Sequence, residues 1–186
     1  MYFLNGLWSG ISHVIPYGYD HILFIISILI GLNTFRKCVI VSIVFTVAHS
    51  VSLFLSVFNL FEIAAEIIEP IIAASILFSS ISNIYLKGSF DFRIKTGVIF
   101  LFGLIHGLGF ASVFKENYSN SNEIIITLLG FNLGVEMAQL LFVSLVFLLF
   151  INQKKYREDL KNNIMYLISM GIGIIAMYIL ISRLLN

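Results

Sequence analysis

Charge is what this sequence is shortest of. Of its 186 residues, 11 are Lys or Arg and 10 are Asp or Glu, which leaves 11% charged against 59% hydrophobic. Soluble domains carry about 25% charge, and with a mean hydropathy of +1.00 this chain cannot cover itself with a water-facing surface. A net charge of +1 excludes a strongly basic or acidic nucleic-acid face. The single cysteine, Cys38, cannot close an internal disulfide, and cysteine is missing from every polar cluster considered below, which weighs against a thiolate site for Cu(I). Positive charge is also missing before the first apolar run, and no cleavage site follows it, so the first span is expected to serve as its own insertion signal.

What is present is a series of long apolar runs. About 20 apolar residues cross a ~30 Å hydrocarbon core, and the chain reads as one integral membrane domain over residues 1–186. Six spans are expected near 17–33, 38–58, 66–86, 95–114, 123–151 and 163–185. Residues 1–16 are expected to form an interfacial or re-entrant segment before the first span, with a break at Pro16 and Gly18; the alternatives are one long helix kinked there and a seventh crossing. Pro16 removes a backbone donor, and irregular backbone is tolerated at membrane depth where it lines a polar cavity. The fold class is therefore all-α: a polytopic membrane helix bundle.

Basic residues orient it. Arg36 and Lys37, then Lys87, Arg93 and Lys95, then Lys154, Lys155, Arg157 and Lys161 fall in alternate loops and make nine of the eleven Lys and Arg. The loops at 59–65 and 115–122 hold only Lys115. The positive-inside rule then places both termini outside the cytoplasm. Gly103 with Gly107 and Gly130 with Gly134 make GxxxG pairs that mark close helix contacts or generic bundle packing. The stretches Val44 to Leu53 and Leu101 to Phe110 share an apolar-Phe-small-apolar-apolar-His pattern, which suggests a parallel internal repeat; an acid follows each, Glu69 and Glu136.

Against this background the polar residues stand out. All four histidines, His13, His21, His49 and His106, fall in apolar surroundings, where a charged side chain at mid-helix costs roughly 2.5–3.5 kcal/mol on insertion scales. His49 lies nine residues before Phe58, about 13 Å below the outer surface at ~1.5 Å per residue, and His106 is similarly deep. Asp20 and His21 are expected near the outer end of the first span, and Glu69 near the outer end of the third. Asn132, Glu136 and Gln139 share one face of the fifth. Each has a plainer use: a histidine can bond two helices, Asp20 can cap a helix, and Glu69 can be solvated. Glu136 is too deep to snorkel. Together they point to one polar pocket open to the outside, and imidazoles with carboxylates in low dielectric suit a divalent transition metal such as Ni, Co or Zn. The expected metal ligands are His21, His49, His106, Asp20, Glu136, Glu69 and His13, with Asn132, Gln139, Thr46 and Ser50 orienting them or relaying.

These stretches resemble the HupE/UreJ family of membrane proteins. The matching segments are Gly18-Tyr19-Asp20-His21-Ile22-Leu23-Phe24, Phe45-Thr46-Val47-Ala48-His49-Ser50, Ile68-Glu69 with Ala73 to Ser75, Phe102 to Ala111, and Phe131-Asn132-Leu133-Gly134-Val135-Glu136 with Gln139. They cover roughly residues 10–140. The family's leading histidine corresponds to His13, with a gap one residue longer through Val14-Ile15-Pro16-Tyr17. The resemblance implies a nickel or cobalt permease of a bacterial inner (plasma) membrane, associated with hydrogenase or urease accessory functions. Three functions stay open: a metal permease, an intramembrane metal-dependent hydrolase with a Glu as general base, and a non-catalytic accessory subunit. The permease leads, no residue being assigned a catalytic role, although polar residues toward the cytoplasm are sparse. The expected partners are the lipid bilayer and the metal ion as substrate, with no nucleic acid; a homo-oligomer is compatible with such a bundle.

Overall fold

The computed structural model describes residues 1–32, 34–86, 91–118, 123–151 and 158–185. Among these residues the chain forms seven α-helices and no strand. They are α1 (Tyr2–Val14), α2 (Tyr19–Leu29), α3 (Phe35–Val57), α4 (Ala65–Leu86), α5 (Phe92–Tyr118), α6 (Ile124–Val146) and α7 (Glu158–Leu185), with a π-helical turn at Phe147–Ile151 after α6. Helices α3 to α7 are each long and apolar enough to cross a membrane, and α1 with α2 forms a sixth candidate bent by 65° at its break.

The stretch 17–33 is therefore not a continuous span. Its helical part, α2, has 11 residues, which at 1.5 Å each is about 16 Å, half a bilayer. The missing half comes from α1, which packs along α6. Gly6 and Gly10 in α1 face Gly130 and Gly134 in α6 so closely that a Cβ at Gly6 would stand 2.1 Å from the Thr127 carbonyl oxygen, and one at Gly134 2.2 Å from that of Leu7. Gly6-Leu7-Trp8-Ser9-Gly10 is itself a GxxxG stripe, and its glycines are the contact surface with α6.

Contacts fix the direction of each helix. Phe3 meets Gly130 and Leu7 meets Gly134, so α1 runs parallel to α6. Ser27 of α2 bonds Ser79 of α4 at 2.8 Å and accepts from Asn83, while α4 runs antiparallel to α5, with Ile72 at Gly109 and Ser75 at His106. Gln139 of α6 reaches Ser42 and Thr46 of α3, and Asn132 shares a groove with Ser50 and Phe54, so α3 and α6 are antiparallel. Helices α3 and α5 lie side by side in the same direction, Gly103 on Phe45 and Gly107 on His49. The two histidine helices thus run parallel, as the repeat requires. Helices α1 and α2 both run with α4 and α6, and together they make one span broken at mid-depth.

Two ends can now be named. The upper end carries the starts of α1, α4 and α6; the lower end carries the starts of α3 and α5. Helix α7 finishes at the upper end, where Arg183 donates to the Glu69 carbonyl at 2.8 Å. Lys115 and Glu116 belong to α5 rather than to a loop, and Lys95 is buried in the same helix. Lys87, Lys154, Lys155 and Arg157 lie outside the described residues, as does the side chain of Lys161.

Two apolar clusters fill the bundle. One includes Phe24, Ile28, Val41, Phe45 and Ile99 and reaches up α4 to Ile72 and Ile68; the other, nearer the upper end, includes Val14, Leu53, Ala111, Phe114 and Phe131. Polar side chains meet between them.

Candidate metal centre

The break between α1 and α2 positions the first two histidines. Helix α1 ends at Val14; Pro16 lacks the N–H that would continue it, and Gly18 folds back onto it, so closely that a Cβ there would lie 2.3 Å from the His13 carbonyl oxygen. The chain re-enters helix at Tyr19. His13 thus hangs from the last turn of one half-helix, and Asp20 and His21 open the next. Both lie at mid-depth, not at the outer end expected from a continuous span.

Helices α3 and α5 supply the other two. His49 and His106 each stand fourteen residues beyond the first residue of their helix, about 21 Å from the lower end. Gly103 and Gly107 let α5 lie against the backbone of α3, bringing these histidines to the same level. The four rings converge: centroids are 4.6 Å apart for His13 and His21, 5.2 Å for His21 and His106, 5.7 Å for His21 and His49, and 6.0 Å for His13 and His49.

Hydrogen bonding orients one ring and leaves the others open. The Asp20 carboxylate accepts from the His21 backbone N–H at 2.8 Å and lies 3.1 Å from His21 Nδ1. With Nδ1–H donating to Asp20, the bare lone pair of His21 falls on Nε2, the arrangement in which a carboxylate fixes the tautomer of a ligating imidazole. Ser75 Oγ lies 3.5 Å from His106 Nε2. The Nε2 atoms of His13 and His21, both ring nitrogens of His49 and Nδ1 of His106 are buried without a hydrogen-bond partner among the described residues. An unsatisfied buried polar atom costs about 1–3 kcal/mol, and five of them on adjacent imidazoles need a common purpose.

Two donor sets satisfy the spacing a cation needs. One ligand atom each from His13, His21 and His49 lie within 4.8 Å of one another, and so do one each from Asp20, His21 and His106. Tetrahedral Zn–N bonds of about 2.0–2.1 Å imply ligand separations near 3.3 Å, so a small side-chain adjustment would bring either set around an ion. The donors are imidazole with one carboxylate, which fits Ni²⁺, Co²⁺ or Zn²⁺.

Aromatic layers enclose the cluster. Above, the Phe110 and Phe131 rings stack at 4.9 Å, with Phe110 3.9 Å from His13. Below, Phe45 and Phe24 stand 5.1 and 5.2 Å from His106. Asp20 is less enclosed than its neighbour, its side chain 21% exposed against 3% for His21. Tyr19 Oη sits beside it, 3.4 Å from Arg183 Nη2.

The remaining expected residues are spread more widely. Glu69 is exposed, its carboxylate 3.6 Å from Arg183 Nε, and it takes no part in the cluster: its side chain points toward α7 at the upper end. Glu136 is half-buried on α6 with a buried, unpartnered Oε1, and it belongs to neither donor set. Gln139 is fully buried; its Oε1 accepts from Ser42 at 3.2 Å and Thr46 at 3.0 Å. Asn132 and Ser50 line a groove between α3 and α6. Sequence reasoning did not single out the Phe110–Phe131 pair or Arg183. In so aromatic a chain nothing in composition distinguishes a ring over a histidine from one facing lipid.

A family model described as HupE / UreJ protein matches residues 1–183, nearly the whole chain. No curated protein matches the chain, and no solved structure does.

Proposed function

Because the chain belongs to the HupE/UreJ family, we propose that it carries a divalent transition-metal ion, nickel or cobalt, across a bacterial inner membrane by way of the four-histidine cluster. The family is associated with nickel and cobalt uptake, and the helices are those of an integral membrane protein. The observation that carries the reading is the convergence of His13, His21, His49 and His106 from four helices, with five ring nitrogens buried and unpartnered.

The residues divide the work. Asp20, the most exposed member, meets an incoming ion and holds His21 in its ligating tautomer. His21 belongs to both donor sets, so an ion can pass from one set to the other without leaving its imidazole. Broken helices at the bilayer midplane are where transporters bind their substrates, because half-helix ends can rearrange. The charge rule places the upper end outside the cytoplasm, the side from which the ion would reach Asp20.

Hydrolase chemistry fits less well. A metal-bound water needs a carboxylate base within reach; Asp20 is engaged by His21, and Glu136 lies outside both donor sets.

Transport is tested by sealing the purified protein into proteoliposomes with a metal-sensitive dye inside. Nickel or cobalt added outside should quench the dye, and His21→Ala should abolish the signal while remaining folded in detergent. Stoichiometric metal binding without flux would sink the permease and favour the enzyme.

A further inference from the structure

Below the histidine cluster, toward the lower end, a lysine is buried against the end of α2. Phe24 lies against His106 and, at 5.5 Å, against Phe102. Phe102 in turn lines a small cavity of about 30 Å³ shared by Ser79, Ser82, Asn83 and Lys95, roomy enough for about one water. Ser27, Ser79 and Asn83 are joined by hydrogen bonds beside it. These polar residues lie between α2, α4 and α5 on the lower side of the Phe24 and Phe102 rings, which separate them from the cluster.

Lys95, one of this set, reaches the carbonyl terminus of α2. The last carbonyls of a helix have no partner within it and carry the negative end of its dipole, and half-helix carbonyl ends coordinate cations in transporters. Here that place is taken. Lys95 Nζ donates to the Ile30 carbonyl at 2.6 Å, and the side chain is 9% exposed. No carboxylate pairs with it among the described residues. A lysine buried this way is expensive, and helix capping alone needs no charge from another helix.

We propose that Lys95 is a tethered cation that closes the exit: it occupies the carbonyl site at the end of α2, and an ion leaves the cluster only when Lys95 releases Ile30. The inference rests on the transport reading above and adds the residue that regulates it. A divalent ion and the ammonium compete for one carbonyl site and repel each other, so both cannot hold it together. Withdrawal of Lys95 toward the lower end frees the carbonyls as the ion arrives.

Native protein, Lys95→Met and Lys95→Arg are compared for nickel stoichiometry in detergent and for downhill nickel flux in proteoliposomes. Lys95→Met, which keeps the stem and removes the charge, should bind nickel as the native protein does and conduct about tenfold faster, the size expected from losing one charged hydrogen bond. Lys95→Arg should remain closed, with flux at or below the native rate. Native-like or lower flux in a folded Lys95→Met that binds nickel normally overturns the gate and leaves the metal site standing. Failure of the native protein to bind nickel, or binding without flux, overturns the transport reading and the gate with it. Should Lys95→Met not fold, the native protein decides: a small amine-reactive reagent should modify Lys95 during nickel flux and not in its absence, and equal modification in both overturns the proposal.

Discussion

At the scale of single residues, Asp20 has the clearest separable role. Its carboxylate accepts from both the backbone and the ring of His21, so it sets which imidazole nitrogen is bare. Asp20→Asn keeps the shape but supplies a weaker, neutral acceptor. Partners of this kind are worth 10–100-fold in metal affinity, so nickel titration of Asp20→Asn should show weakening in that range with stoichiometry unchanged. Affinity equal to native would remove Asp20 from the site. Glu69→Gln makes the contrast, because its carboxylate faces Arg183 rather than the histidines; its nickel affinity should match the native value. The four histidines were legible from sequence because imidazole is costly in an apolar run. Which acids join them was not: Asp20, Glu69 and Glu136 carry the same chemical signal, and only the direction of each side chain separates them.

At the scale of helices, glycine decides how near the histidines come. A Cβ at Gly107 would stand 2.2 Å from the His49 carbonyl oxygen, whereas one at Gly171 would meet nothing within 4 Å. Gly107→Ala should therefore push α5 off α3 and destabilise by about 1–3 kcal/mol, separating His106 from the cluster and reducing nickel binding. Gly171→Ala should leave both unchanged or gain up to about 1 kcal/mol from helix propensity. Thermal melts in detergent with paired nickel titrations check this; equal effects would contradict the contact. The GxxxG pairs in α5 and α6 could be read ahead of the structure, and both make close contacts. The pair in α1 could not, because Asn5, Ser9 and Ser12 break the apolar pattern that would have marked a span. Misjudging α1 also displaced Asp20 and His21: a first span starting at Tyr17 puts them near the surface, while a span starting at Tyr2 puts them at its centre.

At the scale of the whole molecule, six passes return the chain to the end from which it started, with α1 beginning beside α6 and Arg183 of α7 at Glu69. The positive-inside rule predicts that this end faces away from the cytoplasm. A cysteine introduced at Leu60 in a Cys38→Ser background should react with a membrane-impermeant maleimide added outside cells, and one at Arg93 should not; the reverse pattern would invert the orientation and the direction of uptake. The number of long apolar helices was readable because hydropathy is summed over twenty residues at a time. The enclosure of the cluster by Phe24, Phe45, Phe110 and Phe131 was not, since it depends on which faces meet.

The central claim is that the histidine cluster binds a transition-metal ion, held at rest by His13, His21 and His49. X-ray absorption on the nickel-loaded protein tests it most directly, because imidazole ligands give a multiple-scattering pattern that water and carboxylate do not. The account predicts a nickel shell containing at least three imidazoles, falling by one in His49→Ala. An all-oxygen shell, or a shell unchanged by that substitution, would contradict it.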